Sequence, residues 1–140
     1  VVRSRTIGSH VRAKINDARH QTRVAASKGA PGILLIYNNL DPQQYFGTEA
    51  HDFIAAMYGE PTVVIARSSG KIADAYHGRN KSFREKKNDS FSAVGRIFAS
   101  RNGVVIDLYE NVHAQNPIDY SSVPSFIEVT RFSLDGTQDA

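Results

Sequence analysis

Lysine and arginine carry the densest chemistry in this chain, and they are unevenly spread. Residues 1–28 hold Arg3, Arg5, Arg12, Lys14, Arg19, Arg23 and Lys28 against a single acid, Asp17. Residues 77–90 hold Arg79, Lys81, Arg84, Lys86 and Lys87 against Glu85 and Asp89. Twelve of the 17 basic residues therefore fall in two segments, although the net charge of the 140-residue chain is only +3. Such clustering is the electrostatic footprint of a polyanionic partner. Two solvated faces are the plainer account of the same pattern. Arg12, Arg19 and Arg23 recur at i, i+7 and i+11, which places them on one exposed helix face over about 16 Å. That length follows several phosphates of one strand, and the planar guanidinium pairs with phosphate through two parallel hydrogen bonds. Arg84, Lys86 and Lys87 would close over the same ligand if the fold brings the two segments together. Phe83 is the only aromatic residue in the second segment, so phosphate contact without base readout is expected.

The remaining candidates are sparser. His10, His20, His51, His77 and His113 make no HxxxH or HxxEH spacing, so no helix presents two metal ligands on one face. His51 and Asp52 are neighbours, but adjacent residues on a helix do not face each other. No metal site is expected from His20, His51 or His113. Nucleophile-elbow, P-loop and dinucleotide-binding motifs are all missing. Asn38, Asn39 and Asp41 follow an apolar run at the carboxyl end of a strand, where open α/β sheets hold ligands. Asp41 is thus the best single candidate for a functional carboxylate, against the simpler role of a polar turn. Ser68-Ser69-Gly70 follows a second apolar run and reads as a hairpin turn, with an anion-binding nest as the alternative. Glu85-Lys86-Lys87 has the letters of an E-x-K nuclease motif. That chemistry needs a rigid strand, and these residues sit in a charged stretch with no apolar neighbours to order it.

These residues need a scaffold, and its class is legible. The composition, 41% hydrophobic and 22% charged, suits one globular domain. No apolar run approaches the roughly 18 residues of a membrane span, and no apolar core of a secretory signal follows the basic N-terminus. Cysteine is absent, which rules out disulfides and thiolate ligands and fits a reducing, cytoplasmic setting. The chain opens on Val1 rather than Met, as processing or excision from a longer parent would produce.

Ser9 to Lys28 reads as a helix with Val11, Ile15, Ala18, Thr22 and Ala25 on its buried stripe. Ser9 is the expected N-cap, Gly29 the C′ residue, and Pro31 blocks continuation. Ile33 to Tyr37 is a continuous apolar run, predicted to be a central strand buried on both faces. A second helix is expected from Glu49 to Tyr58, capped by Thr48 and buried through Ala50, Phe53, Ile54 and Met57. Thr62 to Ala66 then forms a second buried strand, parallel to the first in a βαβ unit. Weaker strands follow at Lys71–Tyr76 and Phe91–Ala99. Asn102-Gly103 signals a type I′ hairpin into Val104–Glu110, and Phe126–Phe132 closes the sheet. The fold class is a single α/β domain: a mixed sheet, a central parallel βαβ unit, added antiparallel strands and two main helices.

A basic N-terminal segment, a helix carrying Gln21, a buried strand ending in Tyr37-Asn38, and then a helix and strand resemble the second half of the restriction-endonuclease-like, PD-(D/E)XK nuclease fold. The resemblance spans roughly residues 1–66 and is topological. It implies that Gln21 matches the helix glutamine seen in some members, that Mg²⁺ is the cofactor, and that an acid and an E-x-K strand precede the first helix. No strand here carries that pair; Glu128-Val129-Thr130 lacks the lysine. The catalytic strands would then lie upstream of Val1, or this copy is inactive.

One function class follows from the basic residues, and two alternatives stand beside it. The first is a nuclease-related or nucleic-acid-binding domain that contacts phosphates through Arg12, Arg19, Arg23, Arg84, Lys86 and Lys87. The alternatives are a non-catalytic protein-interaction module and a small-molecule enzyme with its site near Asp41.

Overall fold

The computed structural model describes residues 7–37, 48–65, 67–79, 81–84 and 86–131. Asp41, Asn38, Asn39 and Glu85 lie outside these residues. The elements run α1 (Ser9–Ser27), β1 (Ile33–Tyr37), α2 (Ala50–Tyr58), β2 (Glu60–Ile65), β3 (Ile72–Arg79), β4 (Ala93–Ser100), β5 (Gly103–Glu110) and β6 (Ile127–Thr130), with one turn of 3-10 helix at Tyr120–Ser122. They make an α/β domain with two helices and a mixed four-stranded sheet, as the composition and periodicity predict. None of the described helices is long and apolar enough to cross a membrane.

Helix α1 forms where its apolar period demands. Val11, Ile15 and Thr22 are buried, and Ala18 and Ala25 are half-buried beside them. Its C-terminus closes in a Schellman motif: the Gly29 N–H donates to Ala26 O and the Ala30 N–H to Ala25 O. Gly29 supplies the left-handed φ of +73° that this closure needs. The N-cap is Gly8, not Ser9. A side chain at Gly8 would meet the Ala56 N and Asp52 O of α2 at 2.9 Å, so the helix start is pressed against α2. Helix α2 is capped by Glu49 rather than Thr48. Glu49 and Asp52 exchange side-chain and backbone hydrogen bonds in a capping box.

The strand pairing corrects the expected topology. β1 pairs in parallel with β4, in register Ile33↔Ala93 to Tyr37↔Ile97, and the sheet order is β1-β4-β5-β6. Among the described residues β2 pairs with β3 alone, antiparallel, in a separate two-stranded sheet. The expected parallel pairing of β1 with the Thr62–Ala66 run is therefore replaced by a longer crossover to β4. β1 is also an edge strand among the described residues, not the central one. Its odd positions face away from the helices and are exposed: Ile33 at 45%, Leu35 at 44% and Tyr37 at 62%. Only Ile36 is buried, with Leu34 half-buried. An unbroken apolar run predicts burial on both faces only if something covers both, and here both helices pack on one side.

That side holds the core. Val11 and Ile15 of α1 meet Phe53, Ala56 and Met57 of α2 over Ile36, Val94 and Tyr109 of the sheet. Phe53 stacks on Tyr109, with ring centroids 5.2 Å apart and planes 17° from parallel. On the far face of the sheet Gly95 is a close-approach position. A Cβ there would lie 2.6 Å from Asp107 O and within 2.8 Å of the Leu108 and Leu35 side chains. The β4–β5 hairpin forms as expected, but its turn residues are Arg101-Asn102. Neither has positive φ; the positive value, +113°, falls on Gly103 as the first residue of β5. The turn is thus one residue out of register with the predicted Asn-Gly type I′ turn. β6 runs parallel to β5, against the antiparallel expectation.

Two stability outcomes are expected. Gly95→Ala must displace backbone at β5, and should cost about 1–3 kcal/mol in chemical denaturation, as overpacking does. The buried Tyr58 hydroxyl donates to Glu110 O at 2.7 Å, and burial pushes its pKa far up. Burial also pushes Tyr120 up to about 12. Unfolded tyrosines ionise near pH 10, so the unfolded state loses protons first and stability should fall as pH rises above 10. Tyr58→Phe should flatten that fall, read as unfolding midpoint against pH.

Candidate phosphate-binding site

The two basic segments meet. A cavity of about 220 Å³ lies between the N-terminal half of α1 and the segment after β3, lined by Arg12, Asn16, Lys81, Ser82, Arg84, Lys87 and Asn88. Four of these seven residues are cationic at neutral pH and none is acidic. The floor is buried: Lys81 is 5% exposed, Ser82 7% and Asn88 8%. Lys87 stands exposed at the rim, and Arg84 and Arg12 are half-buried in the walls.

Residues 77–90 show no apolar periodicity and so predict a loop, but the described residues of this segment continue a strand and pack on the core. Residues through Arg79 belong to β3. Beyond it, Phe83 (3% exposed) and Phe91 (0%) both enter the core and pack on each other with centroids 5.6 Å apart. The Ser82 N–H donates to Ala56 O at 2.7 Å, tying the segment to α2. Arg84 and Lys87 then face each other across a tight turn, with Arg84 N–H to Lys87 O at 3.3 Å and Lys87 N–H to Arg84 O at 3.1 Å. Lys86 in that turn has φ +61°, and Asn88 just after it +56°. Asparagine tolerates the left-handed region; a lysine there is uncommon. Asn88 is fixed on both sides: its Nδ2 donates to Ser82 O at 2.7 Å and its Oδ1 accepts from Arg19 Nε at 2.8 Å. That last bond links the basic helix directly to the basic segment, as does the buried contact between the Thr22 and Ser90 hydroxyls at 2.9 Å.

The six predicted basic contacts separate in space. Arg12, Arg84 and Lys87 line the cavity. Arg19 lies at its margin, bonded to Asn88 and, through NH2, to Asn16 Oδ1 at 2.7 Å. Arg23 and Lys86 are exposed and line no part of it. The helix face through Arg12, Arg19 and Arg23 is therefore not the open stripe the spacing predicts. Arg12 in particular acts as a clamp. Its NH1 donates to Ile7 O at 2.9 Å, and its NH2 reaches Ala55 O and Glu60 Oε1, each at 3.3 Å. Burial lowers its pKa, opposed by the Glu60 and Asp52 carboxylates. In the other wall the Arg84 Nε is buried and makes no hydrogen bond among the described residues. Asn16, Lys81, Ser82 and Asn88 were not singled out by sequence. A polar residue one helical turn from Arg12 and a polar run around Arg84 were the available signals.

Gln21 lies elsewhere. It opens on a cleft between α1 and the exposed edge strand, about 290 Å³, lined also by Lys14, Asp17 and Leu34–Tyr37. Asp17 is the one carboxylate among the described residues of that lining. At the start of α2, Glu49, His51 and Asp52 bring ligand atoms within 4.8 Å of one another, a grouping the helix geometry of neighbours does not predict. It arises because Asp52 folds back to cap its own helix. Asp52 Oδ1 accepts from the Gly8 N–H and Oδ2 from the Glu49 N–H, both at 3.1 Å, so both oxygens are engaged in the fold. His51 Nδ1 lies 3.3 Å from Glu49 Oε2, and its Nε2 3.7 Å from Asp52 Oδ2. The remaining carboxylate candidate, Asp41, lies outside the described residues.

Comparison with family models, curated proteins and solved structures returns no match.

The clamp geometry of Arg12 generates a prediction. Arg12→Ala should lower the unfolding free energy by about 2 kcal/mol, because it strips charged donors from two carbonyls and a carboxylate. Arg12→Lys should recover little, since a single ammonium cannot span three acceptors. Urea denaturation of both variants measures this.

Proposed function

We propose that this domain binds nucleic acid through its phosphates, at the cavity between α1 and the 81–88 segment. The observation that carries the reading is the convergence there of four cationic side chains from two sequence-distant segments with no acid among the described lining residues. An anion in the cavity would complement this cationic lining. The hydrogen-bond inventory fits the same ligand: guanidinium and ammonium donors, a serine hydroxyl and two side-chain amides. Aromatic surfaces for base stacking are not among the lining residues, so binding takes its energy from phosphates and reads little sequence.

The nuclease half of the resemblance rests on Gln21 and the cleft beside β1. The resemblance implies an acid and an E-x-K strand to hold Mg²⁺, no described strand of this chain carries that pair, and among the described residues lining the cleft the carboxylate is Asp17. Incubation of the 140-residue protein with plasmid and Mg²⁺ or Mn²⁺ is therefore expected to give binding without cleavage; cleavage abolished by EDTA would restore the catalytic reading.

Fluorescence anisotropy with short duplex and single-stranded oligonucleotides tests the binding itself. The affinity should fall steeply with salt, with a log–log slope near −0.9 per duplex phosphate contacted. Arg84→Ala with Lys87→Ala should weaken binding and reduce the slope by roughly one unit per lost contact. Lys86→Ala, outside the cavity, should change both less. No binding at low salt, or binding indifferent to the double substitution, would remove this site from consideration.

A further inference from the structure

We infer that the cavity takes a terminal phosphate, a phosphomonoester at a strand end, in preference to an internal phosphodiester; this rests on the phosphate-binding reading above. The argument is one of shape and charge. A protein that tracks a backbone spreads its cations along a groove so that successive phosphates each meet one. The sequence spacing of Arg12, Arg19 and Arg23 suits that arrangement, but the fold does not use it. Arg12 is drawn onto α2 and Glu60, Arg19 is drawn onto Asn88, and Arg23 is left alone. The charge is instead gathered around one small volume with a buried floor of Lys81, Ser82 and Asn88. At about 30 Å³ per water, 220 Å³ holds a phosphate group and a few waters, while a sugar and base must stay outside.

A cup of that kind distinguishes the two phosphate types. An internal diester carries one negative charge and two sugar substituents, which must leave the cavity in two directions. A monoester carries about −1.5 to −2 charges at neutral pH, presents three terminal oxygens and has one exit. The walls supply donors from opposite sides, Arg84 and Lys87 from the tight turn and Asn16 from the helix, while Arg12 closes the wall with its own donors held by Ile7, Ala55 and Glu60. Arg84 is half-buried among these lining residues, and a guanidinium offers a planar pair of N–H groups, the fork that grips two oxygens of one phosphate.

The test compares identical oligonucleotides that differ only at their ends: 5′-phosphate, 3′-phosphate or hydroxyl at both. Binding is measured by anisotropy with the fluorophore placed internally, and inorganic phosphate serves as competitor. A phosphate end should bind about 10-fold or more tighter than hydroxyl ends, as one to three added charge-assisted hydrogen bonds would give. Millimolar inorganic phosphate should erase the difference while leaving the weaker, end-independent binding in place. Arg84→Ala should abolish the preference; Arg84→Lys, which keeps the charge without the fork, should retain only part of it. Circular dichroism confirms that each variant is folded, and the wild-type comparison stands even where a variant is not. Equal affinity for phosphate and hydroxyl ends would overturn the inference and leave phosphate binding intact. An end preference that survives Arg84→Ala would also overturn it, since the end would then be held elsewhere. No binding of any oligonucleotide would overturn the underlying reading.

Discussion

The Asp52 carboxylate is wholly buried, and the arrangement of the helices depends on it. A buried carboxylate costs several kcal/mol unless its oxygens are met. Here one oxygen accepts from the Gly8 N–H at the start of α1 and the other from the Glu49 N–H at the start of α2. The positive end of the α2 dipole favours the charge further. One side chain therefore caps its own helix and anchors the other. Gly8 can approach because it has no Cβ to collide with Ala56 and Asp52. Arg12, one turn along α1, then lies over the C-terminal part of α2 and reaches Ala55 O and Glu60. The relative position of the helices, and with it one wall of the cavity, follows from these contacts.

The opposite wall is held by apolar contacts rather than charge. Phe83 and Phe91 bracket the turn that carries Arg84, Lys86 and Lys87, and both are buried. Fully burying an aromatic side chain contributes roughly 1.5–3 kcal/mol. That offsets the self-repulsion of Lys81, Arg84, Lys86 and Lys87 and the backbone cost of positive φ at Lys86 and Asn88. Asn111 adds to the frame, its Nδ2 donating to Phe91 O at 2.7 Å and Asn88 O at 3.3 Å. Cations carried on a turn fixed at both ends lose less entropy on meeting an anion than cations on a mobile loop.

The sheet contributes less symmetrically. Both helices cover one face, and the strand at the open edge, β1, turns Ile33, Leu35 and Tyr37 outward. Arg96 and Asp107 pair across β4 and β5 at 2.8 Å within the strand register, and the Arg96 guanidinium lies 4.3 Å over the Phe98 ring. This pair accounts for a charged strand position in an otherwise apolar hairpin. The Gly95 notch beside it lets Leu35 and Leu108 close over the sheet, so the parallel β1–β4 junction is packed even though β1 is an edge.

The sequence alone determined what depends on near neighbours. The α1 stripe, its Gly29 termination, the existence of α2 and the β4–β5 hairpin all arise from contacts within a few residues, where periodicity and turn chemistry act directly. The α/β class follows from them. What needed the tertiary structure was every pairing between distant segments. Ile33–Tyr37 carries no information about whether β2 or β4 lies beside it, because backbone hydrogen bonds are the same for any partner; packing of the helices decides. The identity of the α2 cap was decided in the same way. Thr48 is a sound local choice, but Asp52 is drawn inward because it also satisfies Gly8, 44 residues away. The basic residues show the division most clearly. Their clustering was legible, and their assignment as clamp, cavity wall or solvated surface was not. A guanidinium takes whichever carbonyl, carboxylate or anion the fold places within reach, and that placement belongs to the packing of α1, α2 and the Phe83–Phe91 segment.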